Sequence, residues 1–236
     1  MIHMTNKKYI YERKSCRNYS KEGLSREDFK FIRNSIDNAK RLDPSINFRY
    51  EILDPEAMNI KTRWKAPYYL AIYSEEKGLY KQNIGFVFEQ VTLDMLERGI
   101  GSCWVGMASP SVKKPDYVIS IAFGKSNDAT RNRTEFKRKE LSQISDVEDE
   151  RLIPANLAPS AVNSQPWYFK SASYGYDVYQ VKHNPLKRKV FGKWGPVDVG
   201  IALSHLYIEY ENTFTFVVKH DQSFKRKYIY VGSISF

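Results

Sequence analysis

A long internal repeat is the feature of this sequence that most constrains its fold. Two apolar, helix-like segments begin alike, one at Asn83-Ile84-Gly85 and the other at Asp198-Val199-Gly200, about 115 residues apart. The order helix, strand, strand, long helix, strand also recurs around them. A period of this length indicates two similar domains rather than a solenoid of short repeats. We therefore predict two halves, residues 1–130 and 131–236.

Helices and strands are both predicted, so the chain is expected to be of the α+β class. A capping-box-like start at Ser25-Arg26-Glu27-Asp28 predicts a helix that ends near Arg41. Apolar residues at helical spacing predict a longer helix over 82–98, buried on more than one side, with Gly99 as its stop. A second long helix is expected over 197–206. Strands are predicted at 48–52, 67–73, 118–124 and 176–181, with a C-terminal hairpin of 214–218 and 228–231.

The composition argues for a globular protein without a membrane span. No run of about 18 apolar residues exists. The N-terminus lacks the apolar stretch of a signal peptide, so a cytoplasmic location is expected. Two cysteines, Cys16 and Cys103, do not make a disulfide framework. The histidines lack metal-ligand spacing, which argues against zinc, and each is expected to be structural or solvent-facing. They are His3, His183, His205 and His220.

The formal net charge of +10 has three candidate explanations, namely nucleic acid, an anionic cofactor or a solvated basic surface. Basic residues cluster within 131–139 and at 187–189 and 225–227. No RNA- or DNA-binding motif surrounds them. Most of these residues are therefore expected to face solvent, and neither nucleic acid nor a membrane is expected as a partner.

The stretch 158–169 combines small residues, amides and prolines. Pro159 disfavours helix at Ala158, and Pro166 ends any helix near Ser164. Asn163 and Gln165 each offer a donor and an acceptor. This combination suits a flat ring with polar edges lying against a loop, while a simple helix–turn–strand connection remains the alternative.

The segment 13–19 carries two arginines around a serine. Arg13 and Arg17 are four residues apart, so on a helical turn they share a face. Together with the Ser15 hydroxyl they could grip a phosphate through charge-assisted hydrogen bonds worth roughly 1.5–3 kcal/mol each. A basic surface turn is the alternative.

These two stretches resemble the signatures of one family, the nitroreductase-like FMN flavoproteins. Residues 158–169 are similar to its A-P-S-x-x-N-x-Q-P-W-x-F motif, and 13–19 to its R-x-S-x-[RK]-x-[YF] motif. Residues 99–106 resemble its G-x-G-S-x-W-x-G segment, and Arg138-Lys139-Glu140-Leu141 resembles its R-K-x-L segment. The resemblance covers nearly all of the chain and is strongest in the first three stretches.

The resemblance implies a nitroreductase-like fold, with a mostly antiparallel sheet packed by helices in each half. It also implies FMN binding. Arg13 and Ser15 would hold the phosphate end, and Arg17 would reach the ribityl chain and the N1/O2 edge. The Gly106 N–H would lie near flavin N5. By resemblance the cofactor-binding residues are Arg13, Lys14, Ser15, Arg17, Trp104, Val105, Gly106, Arg138, Lys139, Pro159, Ser160, Ala161, Asn163 and Gln165.

The position of the 158–169 motif is unusual, because the family normally has it near the start of the chain. Ordinary members are homodimers with the flavin at the subunit interface. Here the first half carries the basic motif and the second half carries the loop motif. The resemblance therefore implies a monomer arranged as an internal pseudo-dimer with one complete site, the site related by symmetry being dead. Whether it also self-associates weakly is left open.

By this resemblance the chain is an FMN-dependent oxidoreductase. Electrons would pass from NAD(P)H to a small organic acceptor, such as a nitroaromatic or quinone, by a ping-pong mechanism through flavin N5. No catalytic side chain is required. A flavin-binding sensor or carrier without turnover is the alternative, and a nucleic-acid-binding protein is a third hypothesis. The physiological acceptor and the choice between NADH and NADPH are not predicted.

Overall fold

The computed structural model describes residues 7–182, 192–219 and 224–236. The chain divides into two compact units. The first comprises the described residues up to Tyr80 together with Val87–Glu135, and the second comprises Lys81–Phe86 and the described part of Phe136–Phe236.

The first unit is built on a four-stranded antiparallel sheet. In chain order its elements are α1 (Lys8–Glu12), α2 (Arg26–Asn38), β1 (Phe48–Leu53), β2 (Met58–Ile60), β3 (Tyr68–Ser74), α3 (Tyr80–Leu96), β4 (Ile100–Val105), β5 (Ala108–Pro110) and β6 (Tyr117–Lys125). The strand order of the main sheet is β1-β3-β6-β4, and a separate two-stranded sheet pairs β2 with β5.

The second unit is also built on a four-stranded antiparallel sheet. Its elements are α4 (Leu141–Ile144), α5 (Ile153–Leu157), β7 (Trp167–Ala172), β8 (Gly175–Val181), α6 (Gly195–Glu209), β9 (Thr215–Val217) and β10 (Tyr228–Ser235). The strand order of this sheet is β7-β8-β10-β9. The C-terminal hairpin is confirmed, although β9 pairs with Ser233–Ser235 and residues 228–230 pair with β8.

The two sheets have the same topology. In each sheet the first two strands are neighbours and a long helix follows the second. The next strand of the sheet then lies at the far edge, and the last strand inserts beside it. The small sheet of β2 and β5 has no counterpart among the described residues of the second unit. The order of elements that recurs in the sequence therefore corresponds to the same strand arrangement in both units.

The three predicted helices are present, but the bounds of each differ from the prediction. Helix α3 covers 80–96 rather than 82–98, and α6 covers 195–209 rather than 197–206. The short helices α1, α4 and α5 were not predicted. Ser25 and Asp28 form the reciprocal capping box at the start of α2, as predicted. The helix ends at Asn38, three residues before the predicted end, because the side-chain amide of Gln90 binds both backbone groups of Lys40. Helix α3 is buried around its whole circumference from Gln82 to Leu96, and Gly99 adopts a φ of 63° in the turn that follows.

The repeated glycines have a packing reason within the second unit. A Cβ at Gly85 would lie 2.1 Å from the carbonyl oxygen of Val197, and a Cβ at Gly200 would lie 2.0 Å from that of Gln82. Each glycine faces the carbonyl three residues before the other. The first turns of α3 and of α6 therefore meet backbone to backbone in a reciprocal contact that only glycine permits.

Membrane spans, metal sites and histidines can be assessed only in the described residues. Within the described ranges, no helix is long and apolar enough to cross a membrane. No three His, Cys, Asp or Glu side chains among the same residues group in a way that could hold a metal ion. His205 is fully buried with its Nδ1 3.0 Å from the Pro154 carbonyl oxygen, which is a structural role. The other three histidines and the 187–189 cluster lie outside the described residues.

Candidate functional site

The segment 13–19 in the first unit is extended rather than helical. The Lys14 N–H donates to the Ala129 carbonyl at 2.8 Å, and the Cys16 N–H donates to the Ser102 carbonyl at 2.9 Å. The idea that Arg13 and Arg17 share the face of a helical turn is therefore wrong. The segment lies along β4 and the chain that follows β6, and this non-local pairing overrides any local helical preference.

The two arginines and the serine nevertheless come together, because alternate residues of an extended chain point to the same side. An Arg13 Nη2 donates to Ser15 Oγ at 3.2 Å, and an Arg17 Nη1 contacts the Ser15 carbonyl oxygen at 3.4 Å. Burial lowers the pKa of Arg13 most, and the positive charge of Arg17 lowers it slightly further. The side chains of residues 13, 15 and 17 thus form one polar, positively charged group.

Arg13 is the buried member of this group, with 4% of its surface exposed. Its Nε lies 3.8 Å from Glu89 Oε1. Burial lowers the pKa of Arg13, and the carboxylate of Glu89 opposes this. Its Nη1 is buried and has no hydrogen-bond partner among the described residues. A buried guanidinium N–H without an acceptor is costly. An anionic ligand would supply the missing acceptor.

Glu89 in α3 connects this group to the predicted flavin segment of β4. The residue is completely buried. Its Oε2 accepts hydrogen bonds from Trp104 Nε1 at 2.6 Å and from Thr92 Oγ1 at 3.0 Å, while Oε1 faces Arg13. One carboxylate therefore orients both Arg13 and Trp104. Glu89 was not predicted as a site residue.

Arg131 is a second residue that was not predicted for the site. Its N–H donates to the Glu12 carbonyl at 2.7 Å, next to the bridge between Arg13 and Thr130. Burial lowers the pKa of Arg131 most, the charges of Arg13 and Arg17 lower it further, and the carboxylate of Glu135 opposes them. A third guanidinium from the 131–139 cluster therefore adds to the positive potential around Arg13.

The remaining predicted residues of the first unit take different positions. Lys14 makes a surface ion pair with Asp128. Val105 is buried at the end of β4. Gly106 lies in the turn between β4 and β5, where its lack of a side chain leaves the backbone accessible.

The predicted loop of the second unit has an unusual backbone. Val162, Asn163 and Gln165 all adopt positive φ angles, of 49°, 54° and 43°. For a β-branched residue such as Val162 this conformation is a clear outlier, which persists only when the surroundings fix it. The Val162 side chain is 63% exposed. The loop thus presents an apolar side chain to solvent on a strained turn.

Asn163 and Gln165 hold this loop in place. Asn163 Oδ1 accepts from Arg138 Nη1 at 2.7 Å, and its Nδ2 donates to the Lys137 carbonyl at 2.7 Å. Gln165 is fully buried, accepts from the Lys139 N–H at 2.8 Å and donates to the Asn156 carbonyl at 3.1 Å. Both amide groups are used within the protein, so in this conformation they shape the loop.

Arg138 and Lys139 belong to the same network. A second Arg138 nitrogen donates to the Leu157 carbonyl at 2.9 Å, and Lys139 Nζ donates to the Gln165 carbonyl at 3.0 Å. Their contact with FMN stays a prediction, as do those of Pro159, Ser160 and Ala161. Ser160 Oγ accepts from the Gln165 N–H at 2.9 Å, which closes the loop on itself.

Asp198 is the third residue that was not predicted. It lies in the first turns of α6 with 4% of its surface exposed, and its Oδ1 accepts from the Ala161 N–H at 3.1 Å. Its Oδ2 is buried without a partner among the described residues. Burial raises the pKa of the Asp198 carboxyl well above its usual value, and the bond from Ala161 only partly opposes this.

The comparisons with known proteins agree with this fold. Residues 5–210 match the family described as "Putative TM nitroreductase". A crystal structure of a "putative nitroreductase" from Thermotoga maritima is 20% identical, covers 91% of this chain and 89% of its own, and gives a TM-score of 0.64. A nitroreductase family protein from Clostridium difficile is 17% identical, covering 61% of this chain and 96% of its own with a TM-score of 0.48. No curated protein matches.

The chain thus has a nitroreductase-like fold of mixed α and β structure with antiparallel sheets. Because the family match extends over most of its length, it belongs to the nitroreductase family.

Proposed function

We propose that this protein is an FMN-dependent oxidoreductase of the nitroreductase type. The observation that carries the proposal is the buried Arg13 guanidinium with an unpartnered Nη1, next to two further arginines. Three guanidiniums face the buried carboxylate of Glu89 and the exposed carboxylate of Glu135. This leaves an excess of positive charge, which suits a phosphate group. Membership of the nitroreductase family makes the phosphate of FMN the natural candidate.

The residues of the first unit would each have a separate task. Arg13 and Ser15 would bind the phosphate, and the exposed Arg17 would stabilise negative charge on the reduced cofactor. Glu89 would hold the Arg13 guanidinium and the Trp104 indole in fixed orientations, through the contacts of 3.8 and 2.6 Å. Gly106 would allow the backbone to approach the cofactor closely.

The second unit would contribute the loop 158–165. Small residues and the exposed Val162 give this loop a surface suited to a flat ring, while Asn163, Gln165 and Arg138 keep it in shape. When bound, FMN would supply the electron transfer between NAD(P)H and a small organic acceptor such as a nitroaromatic or a quinone. The side chains of the protein would bind and orient it without acting as acids or bases.

The proposal includes an internal pseudo-dimer in a single chain. The corresponding strand order of the two sheets supports it. Ordinary members of this family carry one such unit per subunit, so the duplication would replace a homodimer.

The visible spectrum of the purified protein tests the proposal. The protein is titrated with FMN, and the bound form is then mixed anaerobically with NADH or NADPH. Flavin bands that bleach and return in air support a reductase. Bound flavin that neither nucleotide reduces would indicate a sensor or carrier, and no uptake at all would contradict FMN binding.

Arginine variants test the phosphate site. Loss of charge-assisted hydrogen bonds of about 1.5–3 kcal/mol should weaken FMN binding roughly ten- to hundredfold in Arg13→Ala. Arg17→Ala should weaken it several-fold with an unchanged melting temperature, because Arg17 is exposed. Arg63→Ala removes one exposed positive charge from the same unit and serves as the matched control. Equal affinities in all three variants would contradict the assignment.

A further inference from the structure

We infer that Asp198 is a positioning residue for the loop 158–165, here called the flavin loop. Asp198 accepts a single hydrogen bond from the Ala161 N–H and thereby holds this loop in its left-handed conformation. The inference rests on the proposed function, because the loop matters for catalysis only if it binds FMN. It concerns a residue outside every motif that identified the site.

The first step is that the loop needs an external anchor. Val162 and Asn163 follow Ala161 directly, and both have positive φ angles. A β-branched residue avoids this conformation unless neighbouring bonds impose it. The bonds of Asn163 and Gln165 fix the end of the turn. At its beginning, the Ala161 N–H donates to Asp198 Oδ1 at 3.1 Å.

The second step is that Asp198 has a fixed position from which to act. Its own N–H donates to the Trp194 carbonyl at 2.9 Å, within the first turn of α6. Two residues later, Gly200 fixes the helix against the backbone of Gln82, where even a methyl group would collide. The carboxyl group therefore extends from a part of the helix that cannot shift easily.

The third step is that burial of the Asp198 carboxyl costs more than is offset by its one hydrogen bond and by its place in the first turn of α6, where the helix dipole stabilises an acid only weakly. Asp198 is buried, and its second oxygen has no partner among the described residues. A buried carboxyl with one hydrogen bond is expensive whichever form it takes. A residue that costs stability and touches the backbone of the site loop is better explained by the position it gives that loop.

Three variants and two measurements test the inference. Asp198→Asn keeps the shape and an oxygen that can accept from Ala161, whereas Asp198→Ala removes the acceptor. Ser204→Ala is the control, because Ser204 is a buried residue of the same helix whose hydroxyl has no partner in the described ranges. FMN affinity is measured by fluorescence titration. Hydrogen exchange of peptides covering 158–166 is measured in the FMN-free protein.

The expected result is faster exchange of the loop in Asp198→Ala alone. FMN binding should weaken about tenfold in that variant, and stay within about twofold of the wild type in Asp198→Asn and Ser204→Ala. Unchanged loop exchange in Asp198→Ala, or unchanged FMN affinity in a protein that binds FMN, would overturn the inference. Equal loss in Asp198→Asn would overturn it too, because the acceptor would not be what matters.

Failure of the proposed function would look different. If the wild type takes up no FMN, the exchange measurement still decides whether Asp198 anchors the loop. Faster exchange would then support the anchor while the flavin assignment fails, and unchanged exchange would refute the anchor itself. If Asp198→Ala loses exchange protection throughout the protein while Asp198→Asn does not, the milder variant Asp198→Ser is measured. We expect Asp198→Ser to show faster exchange in the loop only. A loss of protection throughout the protein in Asp198→Ser as well would refute a local role of Asp198.

Discussion

Replacing Gly200 by alanine should destabilise the protein, because α3 and α6 leave no space for a methyl group between their backbones. The added Cβ would lie 2.0 Å from the Gln82 carbonyl oxygen and 2.7 Å from its carbonyl carbon. Both are backbone atoms of a helix, so no side chain can rotate away. Real Cβ atoms essentially never come within 3.0 Å of such neighbours. The first turns of α3 and of α6 must therefore separate by about 1 Å.

Two opposing effects set the magnitude. Alanine is a better helix former than glycine, which would stabilise α6 by about 1 kcal/mol. Overpacking costs typically 1–3 kcal/mol and sometimes more, and a backbone clash belongs at the upper end of that range. We expect a net loss of about 2 kcal/mol, which in a protein of this size lowers the melting temperature by about 4–8 °C.

Thermal unfolding followed by circular dichroism measures this effect, and a double variant sharpens it. Separation of the helices at Gly200 also opens the reciprocal contact at Gly85, so Gly85→Ala should cost less when Gly200→Ala is already present. The coupling should amount to about 0.5–3 kcal/mol. Gly23→Ala is the control, because its new Cβ would meet only the Tyr68 hydroxyl, at 3.5 Å. Wild-type stability in Gly200→Ala, or strict additivity of the two changes, would refute this account of the packing.

Three other predictions follow from buried or strained groups. Val162→Gly should raise the melting temperature by about 2–4 °C, because it releases a left-handed β-branched residue that buries little surface; a lower melting temperature would contradict the strain. Asp198→Asn should stabilise the protein more at pH 8 than at pH 4. Because the pKa of the Asp198 carboxyl is raised in the folded protein, its contribution to the free energy of unfolding is fully present below the unfolded pKa of 3.8 and is lost as the pH rises through the folded pKa. A difference in melting temperature between the two proteins that does not change with pH would contradict this prediction. Glu89→Gln should lower the melting temperature by about 6–12 °C, since breaking a buried ion pair with Arg13 costs about 3 kcal/mol, and an unchanged melt would show that the pair contributes nothing.

Most of the fold could be predicted because its signals are local. Alternating and continuous apolar runs predicted β1, β3, β6, β8 and the two C-terminal strands, and the Ser25–Asp28 capping box predicted the start of α2. The strands β2, β4 and β5 were not predicted. The end of α2 could not be predicted in the same way. Its cause is the side chain of Gln90, which lies 50 residues further along and binds the backbone of Lys40. A contact of this kind leaves no trace in the sequence around residue 38.

The buried polar residues of the site were missed for a related reason. The periodicity of 82–98 identifies the apolar positions that should be buried. It leaves Glu89 among the polar positions, to which it assigns no role. The sequence did contain a usable signal, because a helix buried on more than one side must also bury its charged residues. A buried Glu89 then requires a partner, but nothing in the sequence indicates that Arg13 provides it. Only the structure could show that Trp104 is the second partner.

The motif residues themselves show what a sequence signature can and cannot say. A match identifies Asn163 and Gln165 as important for the loop but does not say whether their amides touch a ligand or shape the surface that does. Gln165 is fully buried, and both of its amide atoms bind the protein. It can therefore act on a cofactor only through the loop it holds. Asn163 also binds the protein through both amide atoms, and together the two amides keep Val162 in a strained but defined position. Because Asn163 is exposed, unlike Gln165, its own contact with a cofactor stays a prediction.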